Sequence, residues 1–475
     1  MFTELRPYPD YRSSPVPWAT RLPSHWQVRR GRTLFTRMNR PVRDDDGVVT
    51  CFADGIVTLR SKRRTSGFTE ALQEIGYQGI RTGDLVIHAM DAFAGAVGVS
   101  DSDGKGTPVY AVCRPLRGAE PHYFAAVVRE MARSSWIAAL SRGVRERSTD
   151  FRFEAFAVQE MPVPPTDEQA AIVKYLGHAN ARIDRAIAAK RKLIALLEEQ
   201  RQAVINQAVT RGLDPAVPRK DSGIPWLGVI PAHWDPISTG RVVTLVTSGS
   251  RGWADYYSDE GPIFIQSGNL GRDMKLDLSR IQRVAPPQGA EGQRTQVRRG
   301  DVLVCITGAL TGNVAVVDHD LCSPAFVNQH VALIRPRLDR LDPTFLALAL
   351  RSRVGQEQFK AGEYGGTKQG LGLADVKSVK IAVPSLVEQT EIVEHVTSSR
   401  RVLEAATDRA KSEISLLREF RTRLTADVVT GQLDIRDAAA RLPELEPADL
   451  VSDVFEQDLD DLEAELVASL EEVDA

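Results

Sequence analysis

Cysteine is scarce in this 475-residue chain, and the few cysteines stand far apart. They are Cys51, Cys113, Cys305 and Cys322. Because they form no Cys-x-x-Cys pair, the sequence favours neither a disulfide framework nor a zinc site, and it suits a reducing cytoplasm. The chain also lacks an apolar run of about 18 residues, so we expect no membrane span. The segment Met1–Pro7 lacks the apolar core of a signal peptide.

Motifs of catalysis are missing as well. The sequence contains no Asn-Pro-Pro-Tyr or Asp-Pro-Pro-Tyr motif of an amino-methyltransferase. The segment from Gly98 to Lys105 has one residue too many for a phosphate-binding loop, and no Ser or Thr follows the lysine. The histidines form no His-x-x-x-His pair, and His25, His233 and His330 favour structural roles. We therefore expect a binding protein with no catalytic residue and no metal site on this chain.

Charge is divided unevenly along the chain, although the formal net charge is only −3. Thirteen acidic residues and no lysine or arginine follow Arg441. Residues 1–441 therefore carry 60 basic against 50 acidic residues, a net charge of +10. A basic body suits a polyanionic partner, although a solvated surface explains the same excess equally well. The acidic tail, residues 442–475, contains spaced leucines and valines and is either a docking helix or a disordered segment.

The sequence repeats itself after about 220 residues, a period that is domain-sized and too long for a solenoid. Pro17-Trp18-x4-Pro23-x-His25-Trp26 recurs as Pro225-Trp226-x4-Pro231-x-His233-Trp234. Val163-Pro164-x3-Glu168-Gln169-x2-Ile172-Val173 recurs as Val383-Pro384-x3-Glu388-Gln389-x2-Ile392-Val393. Two fused units imply a pseudo-twofold, which suits partners made of two halves, such as two-part DNA sites.

Each repeat combines a mixed region with a long helix, so we predict an α+β fold. Short β-like runs separated by Gly and Asp clusters fill the mixed regions. The two regions share a frame but diverge in their loops, as readers of different targets or drifted duplicates both would. The predicted segments are a first mixed domain over 12–164, a helix over 165–212, a second mixed domain over 213–384, a helix over 385–431 and the tail over 442–475.

Capping signals and apolar spacing predict the two helices. Thr166-Asp167-Glu168-Gln169 and Ser385-x-x-Glu388 have the pattern of N-terminal caps, and Gly212 and Gly431 stand where C-terminal caps belong. Apolar or small residues follow 4-3 spacing in both copies, with interruptions at Lys190, Gln200 and Glu413. A helix of about 45 residues, roughly 67 Å long, requires a partner. We therefore expect the two helices to form an antiparallel coiled coil; a core helix within each domain is the alternative.

Basic and glycine-rich loops are the candidates for nucleic-acid contact, because Arg and Lys bind phosphates or guanine edges and Gln binds adenine. A solvated run of charge is the alternative at each of them. In the first mixed region the candidates are Arg60, Lys62, Arg63, Arg64, Arg142, Arg145 and Arg147. In the second mixed region they are Arg251, Trp253, Thr367, Lys368 and Gln369.

In their paired order, these motifs resemble the specificity subunits of type I restriction–modification systems, over about residues 12–436. Besides the two repeated motifs, the resemblance is carried by Gly300-Asp301-Val302-Leu303, Val327-Asn328-Gln329-His330 and Gly365-Gly366-Thr367-Lys368-Gln369-Gly370-Leu371. It implies two pseudo-twofold-related target-recognition domains joined by two long helices that form an antiparallel coiled coil. Each domain would read one half of a bipartite double-stranded DNA target, and the helices would set the gap.

The resemblance also implies partners and a division of labour. Two methyltransferase subunits would use S-adenosylmethionine, and restriction/translocase subunits would hydrolyse ATP with Mg²⁺ and cut DNA, while this chain would hold no cofactor and no active site. We expect the methyltransferase subunits to dock near Glu168, Gln169, Glu388 and Gln389, because that motif occurs twice; helix capping alone is the alternative. Two other functions stay open: a stand-alone DNA-modifying or DNA-cleaving enzyme with fused recognition domains, and a coiled-coil scaffold that binds no DNA.

Overall fold

The computed structural model describes residues 5–63, 75–140, 150–249, 252–271, 273–285, 294–363 and 370–444. The predicted site residues outside these ranges are Arg64, Arg142, Arg145, Arg147, Arg251, Thr367, Lys368 and Gln369. The acidic tail from residue 445 onward also lies outside them. The described residues form helices and mainly antiparallel sheets, which confirms the α+β class.

The chain divides into two compact units. Among the described residues, unit 1 comprises residues 5–190 and 411–444, and unit 2 comprises residues 191–410. The division falls inside both long helices rather than at their ends. Each unit therefore holds one mixed region, the start of one long helix and the end of the other.

Unit 1 is built on a four-stranded antiparallel sheet in the order β4-β11-β8-β9. Its strands are β1 (Tyr11–Ser13), β2 (Arg21–Pro23), β3 (Gln27–Arg30), β4 (Phe35–Arg37), β5 (Val49–Cys51), β6 (Val57–Leu59), β7 (Gln78–Ile80), β8 (Leu85–His88), β9 (Val97–Val99), β10 (Gly104–Gly106), β11 (Tyr110–Pro115) and β12 (Glu160–Val163). Its helices are α1 (Arg60–Arg63), α2 (Pro121–Arg133), α3 (Trp136–Leu140), α4 (Phe153–Val158) and the first part of α5 (Thr166–Arg211). Strand β3 pairs with β12, so the mixed region starts and ends at one two-stranded stem.

Unit 2 repeats this plan with a four-stranded sheet in the order β16-β22-β19-β20. Its strands are β13 (Arg219–Asp221), β14 (Val229–Pro231), β15 (Asp235–Ser238), β16 (Val243–Ser248), β17 (Tyr257–Ile265), β18 (Gln282–Val284), β19 (Val302–Cys305), β20 (Val314–Val316), β21 (Ala325–Val327), β22 (Val331–Pro336) and β23 (Lys380–Val383). Its helices are α6 (Pro343–Arg351), α7 (Arg353–Gly362), α8 (Leu373–Ser378) and the first part of α9 (Leu386–Val429). The stem recurs as β15 paired with β23. A second sheet, β18-β17-β21, belongs to this unit and includes a parallel pair.

A repeated Gly-Asp turn precedes the buried strand β8 in unit 1 and β19 in unit 2. The glycines of the two turns, Gly83 and Gly300, both have a φ of +87°, a conformation that glycine adopts without strain. In unit 1 the carboxylate of Asp84 accepts hydrogen bonds from both terminal nitrogens of Arg40. In unit 2 Asp301 accepts from Arg335 at 2.8 and 2.7 Å. The turn is therefore kept in both copies, although the arginine comes from different positions.

The long helices are present where the sequence predicts them. Helix α5 begins at Thr166 and ends at Arg211; α9 covers Leu386–Val429 and is followed by the short α10 (Arg436–Ala440). The predicted C-terminal caps, Gly212 and Gly431, have φ angles of +69° and +70°. These left-handed angles end both helices as glycine caps do.

Within unit 1 the start of α5 packs against the end of α9. Ile172 shares a buried apolar cluster with Val428. Lys190, which interrupts the apolar spacing of the first copy, forms an ion pair at 2.6 Å with Glu413, the interruption in the second copy. These two polar interruptions therefore match each other.

The helix contacts in each unit fit helices that run in opposite directions. In unit 1 Asp184 pairs with Arg421, ahead of the Lys190 pair on α5 and after it on α9. In unit 2 Ile205, near the end of α5, shares a buried cluster with Ile392, near the start of α9. A coiled coil along the full length of the helices stays a prediction. Within the described residues, no helix combines the length and the apolarity that crossing a membrane requires.

Candidate nucleic-acid interface

The first basic segment of the sequence lies on a small hairpin of unit 1. Strands β5 and β6 pair antiparallel, and α1 follows β6 directly. The Lys62 side chain is 52% exposed, and its ammonium lies 2.7 Å from Ser102 Oγ and 3.6 Å from the Asp101 carboxylate. Arg60 Nε donates to Thr50 Oγ1 at 3.2 Å. Lys62 therefore presents a largely solvated cation to which an anion has access.

Arg63 has an internal environment instead. Its side chain is 3% exposed and forms an ion pair at 2.6 Å with Asp54. Its guanidinium carbon also lies 4.2 Å from the centroid of the Phe52 ring. A paired guanidinium on an aromatic face packs the hairpin through ion-pair and cation–π attraction. Contact of Arg63 with DNA stays a prediction, but these partners give the side chain a packing role.

In unit 2 the described ends of both candidate loops lie at the same end of the strands of the main sheet. The Gly249 amide, just before the first loop, donates to the Asn328 carbonyl at 3.0 Å. A Cβ at this glycine would lie 2.1 Å from a carbonyl oxygen of β21, so no larger residue fits. The Ile306 amide donates to the His330 backbone carbonyl at 2.9 Å. The Leu371 amide, just after the second loop, donates to the Ile306 backbone carbonyl at 2.7 Å. The second loop is therefore fixed at the end of β19, and the first at the connection between β21 and β22.

Unit 1 contains the same backbone anchor after the matching strand, β8. The Ala89 amide donates to the Val109 carbonyl at 3.2 Å, as Ile306 does to its own neighbour. The Phe151 amide donates to the Ala89 carbonyl at 3.1 Å, as Leu371 does to Ile306. Phe151 closely follows the predicted basic loop that contains Arg142, Arg145 and Arg147. Both units thus hold the end of a candidate loop against the same strand end.

The β5–β6 hairpin, which α1 and Lys62 follow, adjoins this strand end in unit 1. The Cys51 amide, on β5, donates to the Tyr110 hydroxyl at 3.2 Å. The Tyr110 ring lies 5.1 Å from the ring of His88, the last residue of β8. Burial raises the pKa of Tyr110 to about 12, so its hydroxyl stays protonated. Burial lowers the pKa of His88, so its ring is neutral near pH 7.

The predicted docking residue Glu168 is the centre of a buried network in unit 1. Its carboxylate accepts from Trp26 Nε1 at 2.9 Å and from the Tyr8 hydroxyl, and it lies 2.8 Å from His25 Nε2. Glu168 is 3% exposed, and we call these four residues the Glu168 network. Burial, and then the hydrogen bond to Glu168, raise the pKa of Tyr8, which therefore remains a donor. The cap glycine of α9, Gly431, packs on the same indole, where a Cβ would approach Trp26 to 3.1 Å.

Unit 2 contains a matching Glu388 network of Glu388, Trp234 and His233. Trp234 Nε1 donates to Glu388 at 3.0 Å, and His233 Nε2 lies 3.0 Å from the same carboxylate. Gly212, the cap of α5, packs on this indole as Gly431 does on its counterpart. Among the described residues no tyrosine hydroxyl joins Glu388, whose side chain is 24% exposed. In each unit, therefore, the two repeated sequence motifs contact each other: the Trp of the first motif donates a hydrogen bond to the Glu of the second.

The glutamines beside these carboxylates are also internal. Gln169 is 1% exposed, accepts from the Glu120 amide at 2.9 Å and donates to the Pro164 carbonyl at 2.9 Å. Gln389 is fully buried, accepts from the Asp342 amide at 2.7 Å and donates to the Pro384 carbonyl at 2.9 Å. Docking of a partner near these motifs stays a prediction. The side chains themselves join the helix starts to the mixed regions.

Comparisons with known proteins agree with this architecture. Residues 291–414 match the family model of the type I restriction modification DNA specificity domain. The chain is 26% identical over 279 residues to the EcoBI specificity subunit of Escherichia coli. The resemblance to type I specificity subunits is confirmed. That alignment covers 58% of this chain and spans 58% of the length of the curated relative.

Two solved structures share the fold of the chain. The first is a chain from a structure that describes complex assembly and conformational transition of the type I R-M system, with a TM-score of 0.67 and 18% identity. It covers 87% of this chain and 99% of its own. The second is the HsdS subunit from Thermoanaerobacter tengcongensis, with a TM-score of 0.51 and 20% identity, covering 87% of this chain and 98% of its own. The fold of type I specificity subunits therefore extends over most of this chain.

The aromatic residues near the start of β17 divide into buried and exposed groups. Trp253, predicted to bind DNA, is 3% exposed and stacks on Phe264 at 5.8 Å, with Phe326 edge-on at 5.6 Å. Contact of Trp253 with DNA stays a prediction, but these partners give its ring a packing role. Tyr256 and Tyr257 are 43% and 45% exposed and join the candidates. The sequence signal for these tyrosines is the aromatic cluster of Trp253, Tyr256 and Tyr257, which has no counterpart in the first half of this chain.

Proposed function

We propose that this chain is a DNA-specificity subunit of a type I restriction–modification complex and that each unit reads one half of a two-part target. One observation carries the proposal: both units hold the end of a divergent loop by the same backbone hydrogen bond, at Ala89 and at Ile306. Different loops on a shared frame suit two readers of different sequences, because phosphate contacts fix register and loop side chains read base edges. The match to a DNA specificity domain supports DNA as the ligand.

The long helices are proposed to form an antiparallel coiled coil that sets the gap between the half-sites. The opposite order of the Asp184–Arg421 and Lys190–Glu413 ion pairs along the two helices within unit 1 supports this arrangement. A helix advances about 1.5 Å per residue, and a DNA strand advances about 3.4 Å per base. Helix length therefore converts directly into base pairs of spacing.

The chain is proposed to be non-catalytic and to bind two methyltransferase subunits and restriction/translocase subunits. Those partners would carry the chemistry of S-adenosylmethionine, ATP and Mg²⁺. Because Glu168 and Gln389 are turned inward, docking near the repeated motif would use the exposed residues beside them. At the start of α9 these include Leu386 and Val387, which are 38% and 71% exposed. A partner that docks beside the motif in unit 2 would cover these two apolar side chains.

Mapping methylated sites tests the proposed function directly. The chain is co-expressed with the methyltransferase subunit from its own genome, and the modified bases of the host DNA are sequenced. We expect methylation at a single motif of two half-sites separated by a fixed gap, and no methylation when either subunit is expressed alone. Methylation by the isolated chain, or at one uninterrupted motif, would contradict the proposal.

Replacing Lys62 with alanine is expected to weaken binding to all DNA sequences alike. Loss of one phosphate contact lowers the slope of log affinity against log salt by about 1. Measuring affinity for target and non-target duplexes across a salt series checks this. Stability should change by less than about 1 kcal/mol, because the ion pair of Lys62 is exposed. The control is Arg63→Ala, which should cost about 3 kcal/mol of unit 1 stability through the loss of a buried ion pair. An unchanged salt slope for Lys62→Ala would mean that Lys62 is a solvated surface residue that contacts no phosphate.

A further inference from the structure

A groove of unit 1 lies outside the proposed DNA interface. It runs between the first turns of α5 and the short helix α10. Its floor is small and apolar, formed by Ala170, Ala171, Val173, Ala439 and Ala440. Charged side chains line the rest of it, namely His122, Lys174, Arg436, Glu120, Asp167, Glu168 and Glu444. Carboxylates outnumber cations in this lining, and Lys174 is paired with Glu444 at the start of the tail. The alanine floor therefore suits the apolar face of a segment, and Lys174 marks the edge at which acidic side chains are tolerated.

The last described residues of the chain are already held against this groove. Leu442 packs on the main core of unit 1. His178 Nε2 donates to the Pro443 carbonyl at 2.9 Å, and Lys174 Nζ lies 2.8 Å from the Glu444 carboxylate. The hydrogen bond to Lys174 lowers the pKa of Glu444. The acidic tail therefore begins inside the groove, at its cationic edge.

The second copy of the helix start does not share these surface residues. Lys174 corresponds in the repeat to Glu394, and His178 corresponds to Ser398. Ala171, on the groove floor, corresponds to Glu391. An acidic segment would be repelled at the second position, whereas the first provides a cation and a small apolar side chain. At these three positions, the first copy is therefore less acidic than the second copy, as binding of an acidic segment requires.

The sequence beyond Glu444 has the matching composition. Residues 445–475 contain 12 acidic residues and no lysine or arginine. Larger apolar residues recur every three or four positions, at Val451, Phe455, Leu459, Leu462, Leu466 and Leu470. This spacing predicts an amphipathic helix with an apolar stripe and an acidic opposite face. Because such a helix has no core of its own, it needs a surface on which to bury its stripe.

We propose that segment 445–475 binds back to unit 1 in this groove, with apolar side chains on the alanine floor and acidic side chains near Lys174 and His178. The segment starts at the groove, so its binding is intramolecular, and only a short loop has to close. Docking covers the surface of α5 beside the Glu168 network and leaves the start of α9 open. If methyltransferase subunits dock at both helix starts, a consequence that rests on the proposed function, the tail occupies one of the two positions.

Hydrogen exchange on the full-length chain tests the docking. We expect amides within 445–475 to exchange at least about tenfold more slowly than in an unstructured peptide. The double variant Lys174→Glu with His178→Ser, which introduces the residues of the second copy, should remove most of this protection. High salt should weaken it as well, because the ion pair is exposed. Amides of β8 and β11 report whether unit 1 of the variant remains folded.

The matched control is Glu394→Lys, at the corresponding position of the second copy, and it should leave protection of 445–475 unchanged. Exchange of the segment at unstructured rates in the wild-type chain would overturn the proposal, as would equal protection in the double variant. Protection that disappears on dilution would also overturn it, because the segment would then occupy a second copy of the chain. A final arm adds the methyltransferase subunit. If protection persists beside a bound partner, docking of the tail stands and the proposed partner position fails.

Discussion

Replacing Glu168 with alanine is expected to lower the free energy of unfolding of unit 1 by about 3–5 kcal/mol, the range for removing one member of a buried charged network. The carboxylate is 3% exposed and accepts hydrogen bonds from Trp26 and Tyr8. Without it, a buried indole N–H and a buried hydroxyl lose their acceptor, and each unpaired donor costs about 1–3 kcal/mol. Helix α5 would also lose its hold on the segment that opens the mixed region.

The chain contains its own control for this prediction. Glu388→Ala in unit 2 should cost only about 1–2 kcal/mol, because this carboxylate is 24% exposed and its network contains no tyrosine among the described residues. Two units make a single unfolding midpoint ambiguous. Native-state hydrogen exchange of β8 and β11 for unit 1, and of β19 and β22 for unit 2, separates the two effects. Equal losses in both units would mean that the Tyr8 contact and the deeper burial contribute nothing.

The repeated motifs predicted the helices well and their contacts poorly. Capping patterns and apolar spacing are local signals, and they located α5 and α9 to within two residues of the observed ends. The hydrogen bond from Trp26 to Glu168 joins residues 142 positions apart, and no local pattern encodes such a pair. That both motifs occur twice was visible in the sequence. That each pair forms one network depends on how the strands and helices pack.

The candidate site shows the same division. Glycine and basic residues indicated where loops are, but not which side chains face solvent. Arg63 belongs to a run of cations, yet its side chain is buried, because it packs on Asp54 and Phe52 in the turn between β5 and β6. Trp253 is also buried, because its ring packs on Phe264 and Phe326, while Tyr257 is exposed. The anchor at Ala89 and Ile306 could not be predicted from the sequence, because it consists of backbone hydrogen bonds, which leave no residue pattern.

Exchanging residues 31–159 for the corresponding region of another specificity subunit is expected to change one half of the recognised sequence and keep the other. The seam is chosen from the stem of unit 1, where Arg30 of β3 pairs with Glu160 of β12. Both stem strands and the Glu168 network are retained, so the foreign region joins an unchanged base. Each mismatched base pair costs about 1–3 kcal/mol. Three mismatches in a half-site should therefore abolish methylation of the original target.

Sequencing of methylated DNA from cells that express the exchanged chain with its methyltransferase subunit checks this. The reciprocal exchange of residues 239–379 uses the matching seam in unit 2, where Ser238 pairs with Lys380. It should change the opposite half-site. The spacing between half-sites should stay constant in both chimaeras, because α5 and α9 are unchanged. A chimaera in which both half-sites changed, or in which the gap changed with intact helices, would show that the two units do not read DNA independently.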